Sequence, residues 1–198
     1  MRDVILASTS RTRGMILTNA GVAFTAIAPG VDEDTIKASL RAEGASAAEA
    51  AEALAEVKAI RLSGRHHDAL VIGADQMLVS EDRWYDKPTD RAAARRQLQE
   101  LRGKSHQLVT SAVVMLGGQR IWHHVERATL TMRPFSEAFL DLYLDQAGED
   151  ILSSVGAYQL EGMGAQLFSK VEGDHFVILG LPLLPLLDFL RVHGVLTQ

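Results

Sequence analysis

Cysteine is absent from the 198-residue sequence. Its absence removes disulfides, thiolate zinc sites and cysteine nucleophiles, and fits a reducing compartment. An excess of basic charge is also missing. The formal net charge is −5 and the isoelectric point about 5.8, so no global basic surface argues for nucleic acid as a partner. A small phosphorylated ligand stays open, because a local basic cluster suffices to hold one. No apolar run is long enough to cross a bilayer: residues 177–190 span about 14 positions and include Pro182 and Pro185. Residues 1–8 lack the basic and apolar segments of a signal peptide. No repeat, low-complexity tract or linker interrupts the chain. A cytoplasmic protein with no membrane partner is the expectation. What the chain does have is 47% hydrophobic residues, ample core for one domain, or for one domain with two lobes.

The stretch that draws attention is 69–88. Residues 70–79 form a short apolar run ending in polar turn residues, the pattern of a buried strand. Asp75 and Gln76 interrupt it. An ionised carboxylate inside such a strand is costly unless paired or holding a metal. Asp75 is therefore either a structural acid at a strand end or a site residue. Lys87-Pro88 closes the stretch before a helix.

Three earlier segments offer possible partners. Residues 4–7 read as a strand, Ser8-Thr9-Ser10 as a hydroxyl-rich turn, and residues 11–20 as a helix stopped by Gly21. Such a turn presents free N–H groups and the positive end of a dipole to an anion. Arg11 and Arg13 oppose that dipole, so they either serve an anion or are solvated. Residues 24–28 read as a second strand, and Asp32-Glu33-Asp34 follows as a helix start or as help in holding a divalent cation. Residues 46–62 form a strong helix. Projected at ~100° per residue, Glu49, Glu52 and Glu56 share one arc, and Lys58 falls among Ala47, Ala51, Leu54 and Leu62 on the other. Lys58 points inward, either snorkelling to water or reaching a phosphate.

Beyond residue 88, Thr89 or Asp90 caps a helix running to Leu101. Residues 104–116 and 119–132 are strands around a Gly117-Gly118 hairpin turn. His123 and His124 point to opposite faces, which argues against a shared metal and for structural roles. Ser136 caps a helix to residue 147. Residues 165–171 and 175–179 read as strands joined at Glu172-Gly173, and Pro182 opens a last helix. Mixed strands and helices make the chain α/β or α+β.

Taken in order, these pieces resemble the Maf family of nucleoside triphosphate pyrophosphatases, nearly end to end. The resemblance rests on Leu6-Ala7-Ser8-Thr9-Ser10, Val31-Asp32-Glu33, Leu54-Ala55-Glu56-Val57-Lys58-Ala59, Gly73-Ala74-Asp75, Lys87-Pro88, Gly103-Lys104-Ser105-His106, Gly156-Ala157-Tyr158 and Gly180-Leu181-Pro182. It implies an elongated two-lobed α/β fold: a bent mixed sheet flanked by helices, with a central cleft. It also implies hydrolysis of a nucleoside triphosphate to monophosphate and pyrophosphate, a divalent metal (Mg²⁺, with Mn²⁺ as alternative), and a homodimer. Carried over by position, the catalytic acid falls on Asp75, as general base or metal ligand. The phosphate-binding groups fall on Ser8, Arg13, Lys58 and Lys87, and a second metal-side acid on Glu33. The family pattern has a proline and paired arginines where this chain has Ser10-Arg11-Thr12-Arg13-Gly14.

For the base, Asp75-Gln76 and Glu161 resemble the branch acting on 7-methylguanosine triphosphate. Glu161 could complement a cationic base or accept from its N–H edge, or be a surface turn residue. Thr12 stands where that branch has an aromatic, and a hydroxyl cannot stack on a base. The expected function is removal of noncanonical nucleotides. The alternatives are a nucleotide-binding regulator of cell division with little turnover, or a phosphatase releasing inorganic phosphate.

Overall fold

Seven strands and seven helices, joined by 3-10 turns, follow one another among residues 2–197, which the computed structural model describes. In chain order they are β1 (Val4–Leu6), α1 (Arg11–Asn19), β2 (Thr25–Ala26), α2 (Glu33–Ala42), α3 (Ala47–Ser63), β3 (Leu70–Ser80), β4 (Arg83–Tyr85) and α4 (Arg91–Leu101). Then come β5 (Ser105–Leu116), β6 (Gln119–Met132), α5 (Glu137–Ala147), β7 (Phe168–Glu172), α6 (His175–Ile178) and α7 (Leu183–Val192). The strands hydrogen-bond in the order β2-β1-β3-β5-β6-β7, with β4 attached to β3. β2 and β3 run parallel to β1, whereas β4 is antiparallel to β3 and β7 to β6. The mixed, helix-flanked sheet is the α/β architecture expected.

The chain divides into two compact units. The first comprises Met1–Gln76, Val109–Glu126 and Asp174–Gln198. Period-two alternation along its strands builds two cores. Val4, Leu6, Leu70, Ile72 and Ala74 face Ile16 and Leu17 of α1 and Leu183, Leu186 and Leu190 of α7. Ile5, Ala7 and Val71 face Ala55, Ala59 and Leu62 of α3. Asp75 and Gln76 therefore point to opposite faces, Asp75 toward α3. Gly117 and Gly118 both take positive φ, 57° and 79°, as the expected hairpin turn requires.

The second unit comprises Met77–Leu108 and Arg127–Gly173. Its α4 buries Ala94, Leu98 and Leu101, and α5 buries Leu140, Tyr143 and Leu144. Arg95 and Arg102 of α4 and its C-cap share Glu137 of α5 at 3.0 and 2.7 Å. His106 is buried with Nε2 2.7 Å from the Tyr158 hydroxyl, and both rings contact Phe168. Burial lowers the His106 pKa to about 4 and pushes the Tyr158 phenol up.

Three strand expectations are corrected. Residues 175–179 are not a strand but the short helix α6. Asp174 caps it, with Oδ1 accepting from Phe176 N at 2.8 Å and Val177 N at 3.1 Å, so a local side-chain acceptor overrides the apolar run. The strand expected over 165–171 begins later, because Met163–Leu167 coils into a 3-10 turn ahead of β7. The strand at 24–28 shrinks to β2, Thr25–Ala26.

Candidate active site

A glycine sets the distance between β3 and α3. A Cβ built on Gly73 would lie 2.0 Å from the Ala55 carbonyl oxygen and 3.0 Å from Ala59. Only glycine lets β3 and α3 come so close, and the small residues Ala55 and Ala59 complete the contact. Two residues on, and on the same face, stands Asp75. The approach lays the buried Lys58 over it: Nζ is 2.5 Å from Asp75 Oδ1 and 2.8 Å from Glu33 Oε1. Asp75 is 4% exposed, so its charge needs this partner. Its second oxygen, Oδ2, is buried and has no hydrogen-bond partner among the described residues.

The three acids at 32–34 divide their work. Asp32 caps α2, accepting from Thr35 N at 3.2 Å and the Thr35 hydroxyl at 2.8 Å, which holds its carboxyl below the usual range. Glu33, freed from capping, turns to Lys58. The helix-start reading holds for Asp32, while Glu33 is left facing the site.

Arg13 arrives from the other side of the strand. Ser10 caps α1 by accepting from Arg13 N at 3.3 Å, which places the arginine in the first turn. Its Nε donates to the Gly180 carbonyl at 2.7 Å, and Nη1 lies 3.5 Å from Ser8 Oγ, which also accepts from Ser10 N at 3.1 Å. Burial lowers the guanidinium pKa, and the charges of Asp75 and Glu33 push it back up. An arginine stays cationic under such opposing influences. Ser8 is itself buried at the carboxyl end of β1. Ser8, Arg13, Lys58, Glu33 and Asp75 thus come together in the first unit. Arg11 is exposed.

The other predicted residues are placed differently. Gln76 turns its amide nitrogen to Thr110 Oγ1 at 2.9 Å, the Val177 carbonyl at 2.9 Å and the Ile178 carbonyl at 3.1 Å. Thr12 is half-buried in the first turn of α1. Lys87 and Glu161 belong to the second unit, Lys87 exposed after β4 and Glu161 exposed in a turn. His123 pairs with Glu52 and His124 with Glu126, separately, so the two histidines build no common site. Sequence reasoning missed Thr110 and gave Gly180 no role. Thr110 carried the signal that exposed Asp75, a polar residue inside a buried apolar run.

The donor set suits a hard divalent cation. Mg²⁺ takes one or two carboxylates and completes its shell with phosphate oxygens and water. Asp75, with its orphaned Oδ2, and Glu33 offer that pair. No group of three or more metal-ligating side chains occurs among the described residues, which excludes an all-protein cage there.

Comparison with known proteins fits this geometry. The family described as Maf-like protein matches residues 3–193. A protein named nucleoside triphosphate pyrophosphatase from Rhodospirillum rubrum is 60% identical over 98% of this chain and 96% of its own length. Another of that name, from Paramagnetospirillum magneticum, is 58% identical over 97% of this chain and 99% of its own. A protein named 7-methyl-GTP pyrophosphatase from Rhizobium meliloti is 48% identical, covering 98% and 97% respectively.

Proposed function

This chain belongs to the Maf family, and from that premise we propose that it is a nucleoside triphosphate pyrophosphatase that clears noncanonical nucleotides. The observation that carries the reading is Asp75: buried, fixed through Oδ1 by Lys58, and with Oδ2 uncommitted beside two cations and a second acid.

Asp75 Oδ2 orients the attacking water and takes its proton. The water oxygen bonds to the α-phosphorus, the bond from that phosphorus to the bridging oxygen breaks, and pyrophosphate leaves with the electron pair. Nucleoside monophosphate remains, and the proton passes on to solvent. Arg13 and Lys58 neutralise the phosphate oxygens as charge develops, with Ser8 donating its hydroxyl and Lys87 adding charge. Glu33 would hold a divalent cation, Mg²⁺ or Mn²⁺, joined by Asp75 in the alternative in which that residue is a metal ligand rather than the base; the cation would screen the phosphate charge and polarise the reacting phosphoryl group. Thr12 and Glu161 are assigned to base selection, with 7-methyl-GTP as the leading substrate; Gln76 faces away from Asp75 with its amide protons held by Thr110, Val177 and Ile178 and is left out of that set. The reading includes a single two-lobed domain, a homodimer and a cytoplasmic location; among the described residues no helix is long and apolar enough to cross a membrane.

A panel of standard and modified triphosphates, assayed with Mg²⁺ and with product analysis, tests this. Pyrophosphate and monophosphate are expected, with 7-methyl-GTP turned over fastest. Release of inorganic phosphate alone would exclude the reaction; binding without turnover would favour a regulator. Equal rates for all bases would end the assignment of selectivity.

A further inference from the structure

Gln76 directly follows the catalytic acid, yet alternation turns it to the opposite face of β3. There its amide nitrogen meets three oxygens, Thr110 Oγ1, Val177 O and Ile178 O, at 2.9, 2.9 and 3.1 Å. Three acceptors fix which end of the amide is the nitrogen, because the carbonyl end would repel all of them. Both amide protons are committed to the protein, so only the carbonyl oxygen is left for a ligand.

The carbonyls it holds belong to the last turn of α6. Four residues make a helix too short to stand alone. It is pinned at its start by Asp174 and at its end by Gln76 together with Thr110, whose hydroxyl donates to Val177 O at 2.9 Å. The backbone then folds straight back on α6. Gly180 N donates to Val177 O and Leu181 N to Phe176 O, both at 3.0 Å. Gly180 takes a φ of 98°, which aims its carbonyl at Arg13 Nε, 2.7 Å away. The backbone angle, not lack of room, is what calls for glycine, since a Cβ there would meet Arg13 Nε and Nη2 only at an ordinary contact distance of 3.5 Å.

We infer that Gln76 is a positioning residue for Arg13. It acts through α6 and the Gly180 carbonyl, so that the strand carrying the catalytic acid also fixes the arginine that grips the phosphates. The inference rests on the proposed role of Arg13 in holding the triphosphate. One strand register then sets both groups: residue 75 faces the lysine, and residue 76 anchors the acceptor that orients the arginine.

A double-mutant cycle tests it. Gln76→Leu keeps the side-chain volume and removes the donors. In the otherwise native enzyme it should lower kcat/KM by about 10-fold, the scale of a misplaced binding group, and equally for every base. In an Arg13→Ala background the same change should cost less than about 2-fold, because nothing is left to position. Thr110→Val, which deletes one hydroxyl at constant shape, should show the same dependence more weakly and serves if Gln76→Leu folds poorly. If Arg13→Ala reduces turnover to background, calorimetric binding of an α,β-methylene triphosphate supplies the cycle. Additive losses, or a loss confined to one base, would overturn the inference and leave Arg13 as a phosphate ligand. An Arg13→Ala enzyme with unchanged kcat/KM and triphosphate affinity would overturn that role and the inference together.

Discussion

Lys58 Nζ stands 2.5 Å from Asp75 Oδ1, an ammonium on a helix and a carboxylate on a strand, each almost wholly buried. The same ammonium takes Glu33 at 2.8 Å. One lysine thus organises both acids and leaves Asp75 with Oδ2 as its one uncommitted oxygen.

Asp75→Asn keeps the shape and removes the proton acceptor. Pyrophosphate release should fall by about 10²- to 10⁴-fold, the range for losing a positioned base. The melting curve should still show one cooperative transition. Retained turnover would exclude Asp75 as the acid.

Lys58→Met leaves the buried Asp75 without its cation. Breaking such a pair from one side costs about 3 kcal/mol, read as a lower urea midpoint at unchanged slope. Pairing the change with Asp75→Leu should restore part of that loss, since no unpaired charge remains. A single-mutant cost within error of zero would mean the pair is solvated.

Gly73→Ala puts a methyl against the Ala55 carbonyl, which no side-chain rotation can move. We expect a cost of about 1–3 kcal/mol and reduced turnover, because α3 must retreat and carry Lys58 with it. Adding Ala59→Gly should not rescue it, since the shortest contact is to backbone. Native stability and rate in Gly73→Ala would refute the close approach.

His106 gives a pH signature. Burial holds its folded pKa at about 4, below the ordinary imidazole value of 6.5, so the unfolded chain binds the proton first as pH falls. Stability should therefore be unaffected by this group above about pH 6.5 and drop by about 3 kcal/mol as pH falls through that window toward 4. His106→Gln should flatten that part of the stability–pH curve, measured by urea unfolding at each pH. A curve of unchanged slope would mean that His106 titrates normally.

Legibility in the sequence followed the kind of signal involved. Asp75 was visible because a charge inside an apolar strand is conspicuous, and Lys58 because helical projection places it among alanines. Glu33 could not be separated from its neighbours by residue chemistry, since capping and pairing both need an acid at a helix start; only the family resemblance singled it out. What stayed hidden depends on hydrogen bonds between distant segments. Residues 175–179 look like a strand until Asp174 is seen to cap them. Gln76 reads as a second polar interruption until Thr110 and the α6 carbonyls meet it, 34 and 101–102 residues away. Gly180 was quoted in a motif, but a backbone carbonyl acting on Arg13 leaves no mark in side-chain chemistry.

The contact between Gly73 and α3 has a consequence for how the enzyme fails. Lys58 is carried by a helix whose backbone touches a central strand, with no flexible side chains between them to yield first. Amide protons of α3 near Ala55 should therefore exchange with solvent only as slowly as those of β3, through opening of the whole unit. Heating should then cost activity and fold at one temperature, with no intermediate range in which the chain is folded but the ammonium has drifted from its acid.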